Sequence, residues 1–229
     1  MGVVKDPSSL GEFALFRGLA PADLQRINER LHRRVVPAGT NLIIADQPGE
    51  VVYLLVEGTV KILVEQPAAR EVILAFLGHG DTVGEMSLVD SAGRSANVLT
   101  IGECTFYWMN RAAFQECLAI PGFSNNLVRL LCARLRLANE QIQSLSSLDV
   151  AGRIARQLLA FAERYGQEEE RGTRISLRLT QSDLAQLVGA SRERVNQIMV
   201  DLRQKGLIAL EPGQQLVVLD AAGLARLCH

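Results

Sequence analysis

Apolar and polar positions change rhythm three times along the chain. Over residues 21–31, Leu24, Ile27 and Leu31 recur at helical spacing, and Pro21 suits a first turn, which predicts a short amphipathic helix. From about Arg33 to Asn110 the pattern breaks into short apolar runs at 41–44, 51–56, 59–64, 71–76, 95–100 and 104–109. Turn residues separate them: Pro37-Ala38-Gly39, Gln47-Pro48-Gly49, Glu57-Gly58, Gly78-His79-Gly80 and Gly102. Strands at roughly ten-residue spacing with glycine turns predict an all-β sandwich or barrel. Helical spacing returns over 111–118, is interrupted by Pro121-Gly122, and resumes as a long helix from about Phe123 to Ser146.

Within that long helix Val128, Leu131, Leu135, Ala138, Ile142 and Leu145 alternate at spacings of three and four. Such a narrow stripe over nearly three heptads marks a coiled-coil seam, here between two copies of the chain. An ordinary helix packed on its own domain would carry a broader apolar face, whereas Arg129, Arg134, Arg136, Asn139, Glu140 and Gln143 keep the flanks polar.

A second domain begins after Ser146-Ser147, with an amphipathic helix over 149–165 and a charged, solvated loop over 166–172 that carries Glu168-Glu169-Glu170. Thr180 and Asp183 then stand in capping-box positions at the start of a helix whose buried face is Leu184, Leu187 and Val188. Gly189 permits a sharp turn, Ser191 caps a second helix over 192–204, and Gly206 ends it. Val195, Ile198, Met199 and Leu202 form the inward stripe of that helix, with Glu193, Arg194, Asn196 and Gln197 outward and Arg192 at its exposed end. Two short helices across a glycine turn describe a helix-turn-helix. The following runs 207–210 and 215–219, joined through Pro212-Gly213, predict a two-stranded wing. Arginine can pair with O6 and N7 of guanine and glutamate can accept from N4 of cytosine, so Arg192 and Glu193 are candidate base readers. Their bland alternative is a mutual ion pair on a solvated helix end.

The formal net charge of −1 gives no global attraction to nucleic acid, so any DNA surface has to be local. Cys104, Cys117, Cys132 and Cys228 are widely spaced, which disfavours a zinc finger or an iron–sulfur cluster and fits a reducing cytosol. With no signal-peptide layout and no membrane-length apolar run, a soluble cytoplasmic protein is expected. His32, His79 and His229 are not in ligand-like spacing, and no nucleophile triad or Walker loop is present, so neither a metal site nor an enzyme is expected.

Three stretches in order resemble the cyclic-AMP receptor protein/FNR superfamily of bacterial transcription regulators. They are Val83-Gly84-Glu85-Met86-Ser87-Leu88 with Gly93-Arg94-Ser95-Ala96, then Leu148-Asp149-Val150-Ala151-Gly152-Arg153-Ile154, then the span 187–195 around Ser191-Arg192-Glu193-Arg194. The resemblance covers nearly the whole chain. It implies an α+β architecture: an N-terminal β-roll (cyclic-nucleotide-binding jelly roll) over 1–122, a dimerisation helix over 123–147, and a C-terminal winged helix-turn-helix over 148–229. It implies an effector site at Gly84, Glu85, Met86, Arg94 and Ser95, with Glu85 on a ribose hydroxyl and Arg94 and Ser95 on a cyclic phosphate. It also implies DNA contacts from Thr180, Ser191, Arg192, Glu193, Asn196 and Gln197 to a TGTGA-like half-site.

The chain departs from the pattern in two places. Ala138 and Asn139 align with the pair that touches adenine in the cyclic-AMP branch; Asn139 can still bond an adenine edge, but Ala138 cannot supply a hydroxyl. Gln197 replaces a second base-reading arginine, and glutamine prefers adenine edges. Closely spaced cysteines of oxygen sensors are missing, and His79 reads as a surface histidine rather than a haem ligand. The expected protein is thus a homodimer that binds double-stranded DNA and contacts RNA polymerase under cyclic AMP control. Another cyclic nucleotide, a cyclic dinucleotide or no effector remain as alternatives.

Overall fold

The structure, a computed structural model, describes residues 2–66, 70–211 and 215–228. The wing turn Pro212-Gly213 and His229 lie outside the described residues. The chain divides into two compact units, one of residues 1–64 with 76–136 and one of residues 65–75 with 137–229.

The first unit opens with two short 3-10 turns and helix α1 (Pro21–Arg30). Among the described residues eight strands follow: β1 (His32–Val36), β2 (Asn41–Ile43), β3 (Val51–Glu57), β4 (Val60–Gln66), β5 (Arg70–Leu77, grouped mostly with the second unit), β6 (Thr82–Val83), β7 (Asn97–Thr100) and β8 (Cys104–Asn110), with the short helix α2 (Met86–Val89) between β6 and β7. They form two four-stranded sheets, ordered β1-β8-β3-β6 and β2-β7-β4-β5, with the recorded ladders antiparallel. Helix α3 (Arg111–Leu118) and the long helix α4 (Pro121–Ser147), as far as Arg136, complete the first unit.

Strand β3 shows why its apolar run is continuous rather than alternating. Successive side chains point to opposite faces of a sheet. Val52 and Leu54 enter the core shared with α1, α3 and the start of α4, around Phe16, Phe114, Phe123 and Leu127. Tyr53 and Leu55 enter the interior of the roll with Val36, Val60, Val98 and Phe106. Both faces are buried, so positions 51–56 are all apolar and only the exposed last residue, Glu57, is charged. Strand β1 carries no such signal, because His32, Arg33, Arg34 and Val35 are exposed at the sheet edge. Its ladder with β8, and the His32 ring tilted against Trp108 with centroids 4.6 Å apart, hold it in place.

The second unit contains the last turns of α4, then α5 (Val150–Tyr165), β9 (Gly166–Glu169), β10 (Gly172–Ile175), α6 (Gln181–Val188), α7 (Arg192–Gln204), β11 (Ile208–Glu211), β12 (Gln215–Val218) and α8 (Ala221–Ala225). Asp149 caps α5 by accepting from Gly152 N at 2.8 Å, and the helix buries Ile154, Ala155, Leu158 and Phe161. The four strands form one sheet in the order β11-β12-β10-β9.

The acidic run is a correction to the sequence reading. It was expected to be a loop, but Glu168 and Glu169 belong to β9, paired with β10. Glu168 accepts from Thr173 Oγ1 at 2.9 Å, and Arg174 bridges Glu169 at 2.8 Å and Glu211 at 3.4 Å. Cross-strand partners of opposite charge make a strand out of a run whose composition reads as solvated. Helix α4 also begins at Pro121 rather than Phe123, proline being suited to a first turn.

Candidate effector site and DNA-reading surface

The loop from β6 to β7 folds around two buried ionisable groups. Gly84 has φ +87, and a Cβ there would stand 2.5 Å from Arg94 Nη1 and 2.9 Å from Val51 O, so only glycine fits. This lets the next residue, Glu85, turn inward until it is 1% exposed. Met86 and Ser95 remain exposed on either side.

Arg94 is likewise buried. Its Nη1 donates to Gly84 O at 2.7 Å and Ser87 Oγ at 2.9 Å, and its Nη2 donates to Val51 O at 2.7 Å. A guanidinium has five N–H groups, and three are used. The remaining two N–H groups make no further hydrogen bond among the described residues. Burial pushes Arg94 below its ordinary value, partly offset by Tyr53 and Glu85, yet arginine stays charged. The loop therefore holds a positive group with N–H donors to spare, the chemistry that suits a phosphate.

Glu85 has a partner that sequence reasoning missed. Arg134, on α4, places Nη1 2.5 Å from Glu85 Oε1, and its Nη2 donates to Thr82 O. Glu85 Oε2 and Thr82 Oγ1 are both buried and without a partner. Its position among the polar flanks of the stripe does not reveal this; only the docking of α4 on β6 brings it to Glu85. Ser87, which orients Arg94, was likewise not singled out. Ala138 and Asn139 follow one turn further along α4 and are exposed.

The α4 stripe is largely open. Val128, Leu135, Ile142 and Leu145 are 57%, 62%, 67% and 52% exposed, and Ala138 is exposed too. Leu131 is the exception: it is half-buried against the first unit's core, beside Leu127 and Leu130.

The helix-turn-helix forms as its capping residues require. The Thr180 side chain accepts from Asp183 N at 3.1 Å while Asp183 accepts back from Thr180 N. Gly189 ends α6 in the left-handed region, φ +65, and Ser191 Oγ accepts from Arg194 N at 3.2 Å to start α7. Arg192, Glu193, Arg194, Asn196 and Gln197 are exposed, while Val195, Ile198, Met199 and Leu202 are buried. Thr180 and Ser191 thus act first as helix caps, with Ser191 still exposed next to Arg192 and Glu193.

Comparison with known proteins agrees with both halves. Residues 33–120 match the cyclic nucleotide-binding domain family, and residues 152–227 match the Crp-like helix-turn-helix domain. The chain is 36% identical over 218 residues to the CRP-like cAMP-activated global transcriptional regulator of Mycobacterium tuberculosis, covering 95% of this chain and 97% of that one. It is 30% identical over 200 residues to the cyclic AMP receptor protein of Thermus thermophilus, covering 87% and 89%. Among solved structures it is similar to CLP, the c-di-GMP-responsive global regulator of Xanthomonas campestris, with TM-score 0.70, 27% identity, and 87% and 99% of the two chains covered. The chain belongs to the CRP/FNR family: it is a DNA-binding transcription regulator with a cyclic nucleotide-binding domain, not an enzyme.

Proposed function

We propose that the chain works as a cytoplasmic homodimer, that cyclic AMP is its effector, and that it binds a two-fold TGTGA-like site at which RNA polymerase is its further partner. The functional division would follow residues 1–122, 123–147 and 148–229. The observation that carries the effector reading is the pair of buried ionisable groups in one loop: Glu85, whose Oε2 has no partner, and Arg94, whose three hydrogen bonds leave two N–H groups over. A carboxylate can only accept, so Glu85 suits a ribose hydroxyl; the Arg94 guanidinium, with Ser95 and the Gly84 backbone, suits a singly charged cyclic phosphodiester. Cyclic AMP supplies that hydroxyl and that anion together, and two relatives carry cyclic AMP in their names.

The open α4 stripe is what a dimer would cover. Residues on one face of a helix this apolar are otherwise left in water, and a two-fold DNA site requires two recognition helices about 34–36 Å apart. Effector and DNA then strengthen each other equally, as linkage requires.

A second reading is a cyclic dinucleotide as effector. Ala138 favours it, because it withdraws a hydroxyl from the expected adenine contact, and CLP responds to such a ligand. Fluorescence anisotropy on a TGTGA-type duplex, at fixed salt because phosphate contacts make affinity salt-dependent, separates the two. Cyclic AMP is expected to tighten binding about tenfold or more, a coupling within the usual allosteric range. Tightening by c-di-GMP alone would transfer the effector role to the dinucleotide, and no response to either would leave a regulator that binds DNA without a nucleotide.

A further inference from the structure

Helix α7 turns about 100° per residue, and its buried side is fixed by Val195, Ile198, Met199 and Leu202. The line opposite that side runs through Glu193, Gln197, Val200 and Gln204, all exposed. Arg192 and Asn196 flank it on one side, Arg194 and Asp201 on the other. Val200 is out of keeping with its neighbours: it is an apolar side chain 41% exposed in the middle of a polar ridge. It is not part of the core-facing stripe of the helix, which is Val195, Ile198, Met199 and Leu202.

The ridge has the chemistry of a set of base contacts. A carboxamide matches N6 and N7 of adenine with a donor and an acceptor at once, and a small apolar group fits the methyl of thymine. Gln197 and Val200 lie about 4.5 Å apart along the helix axis, little more than one base-pair step. We infer that Gln197 and Val200 form one reading unit for A·T pairs: Gln197 bonds the adenine edge, and Val200 covers a thymine methyl within one step of that adenine. The first turn, with Arg192 and Glu193, reads the G·C part of the half-site, and the second and third turns read an A·T part.

This inference rests on the reading of α7 as the DNA-contacting helix. The test begins by selecting bound duplexes from a randomised two-fold library with the full chain, then replaces single bases in the selected duplex. With unaltered protein, 7-deazaadenine at the read adenine is expected to weaken binding about tenfold, since it deletes the N7 acceptor. Uracil for the neighbouring thymine is expected to weaken binding about threefold, the effect of one buried methyl group. Val200→Ala should make thymine and uracil equivalent, and Gln197→Arg should shift the selected pair toward G·C. Both side chains are exposed, so circular dichroism and thermal unfolding should match the parent. A selected half-site that keeps its A·T preference in Gln197→Ala, and that tolerates both base analogues, overturns the inference while leaving DNA binding by α7 intact. Selection of no sequence at all would overturn the underlying reading as well.

Discussion

Arg134 and Glu85 form an ion pair with Nη1 2.5 Å from Oε1, joining α4 to the loop after β6, and the carboxylate end is 1% exposed while the arginine is 26% exposed. The pair places one oxygen of Glu85 under a permanent cation and leaves the other buried with no partner. Breaking a buried pair from one side leaves an uncompensated charge, which costs about 3–5 kcal/mol when both groups are fully buried. Arg134 is partly solvated, so Arg134→Ala is expected to cost less, about 2 kcal/mol. Urea unfolding of the effector-free protein measures this, and Arg134→Ala combined with Glu85→Gln should cost less than the sum of the two.

Effector affinity should depend on Glu85 and on the shape of its loop. A hydrogen bond to a charged acceptor contributes about 1.5–3 kcal/mol, so Glu85→Ala is expected to weaken cyclic AMP binding tenfold or more in isothermal titration. Gly84→Ala should do at least as much damage. Its φ of +87 disfavours any side chain, and its Cβ would meet the backbone oxygen of Val51 and the Arg94 guanidinium. Normal nucleotide binding by Gly84→Ala would show that the loop is not the effector site.

The α4 stripe predicts the oligomeric state. Leu135→Glu and Ile142→Glu each put a charge on a side chain that is more than 60% exposed in the single chain, so neither should disturb the fold. In a dimer both would be buried. Sedimentation equilibrium is expected to show a dimer for the parent and a monomer for either variant, with far weaker DNA binding. A parent that sediments as a monomer would remove the two-fold DNA site.

The cysteines should react in the order of their exposure. Cys132 is exposed and should label first, whereas Cys104 and Cys117 are buried and should label only on unfolding. Burial pushes the Cys117 thiol up to about 11, with Glu116 adding to the shift. The unfolded thiol ionises near its ordinary value, about 8.5, so the unfolded state binds fewer protons between there and 11. This contribution to stability is thus complete below about pH 8.5 and is lost as pH rises through 11. The urea midpoint should fall over that window, and Cys117→Ala should flatten that part of the fall.

The sequence by itself determined the elements whose signals are local. Thr180 with Asp183, Gly189 and Ser191 define the ends of α6 and α7 through caps and one left-handed turn, and each appears where its chemistry requires. The paired-face burial of β3 and the stripe on α4 follow from apolar periodicity in the same way. Weak local signals did not reach the structure: β1 is a polar edge strand held by β8, and β9 is an acidic strand held by Thr173 and Arg174. The order of motifs located the Glu85 and Arg94 loop, but not what those side chains do. Arg94 turns inward onto Gly84, Ser87 and Val51, and Glu85 meets an arginine 49 residues away. Only tertiary structure decides such pairings, because burial of a charge selects whichever partner the packing of distant segments brings within hydrogen-bond reach, and no spacing along the chain encodes that distance.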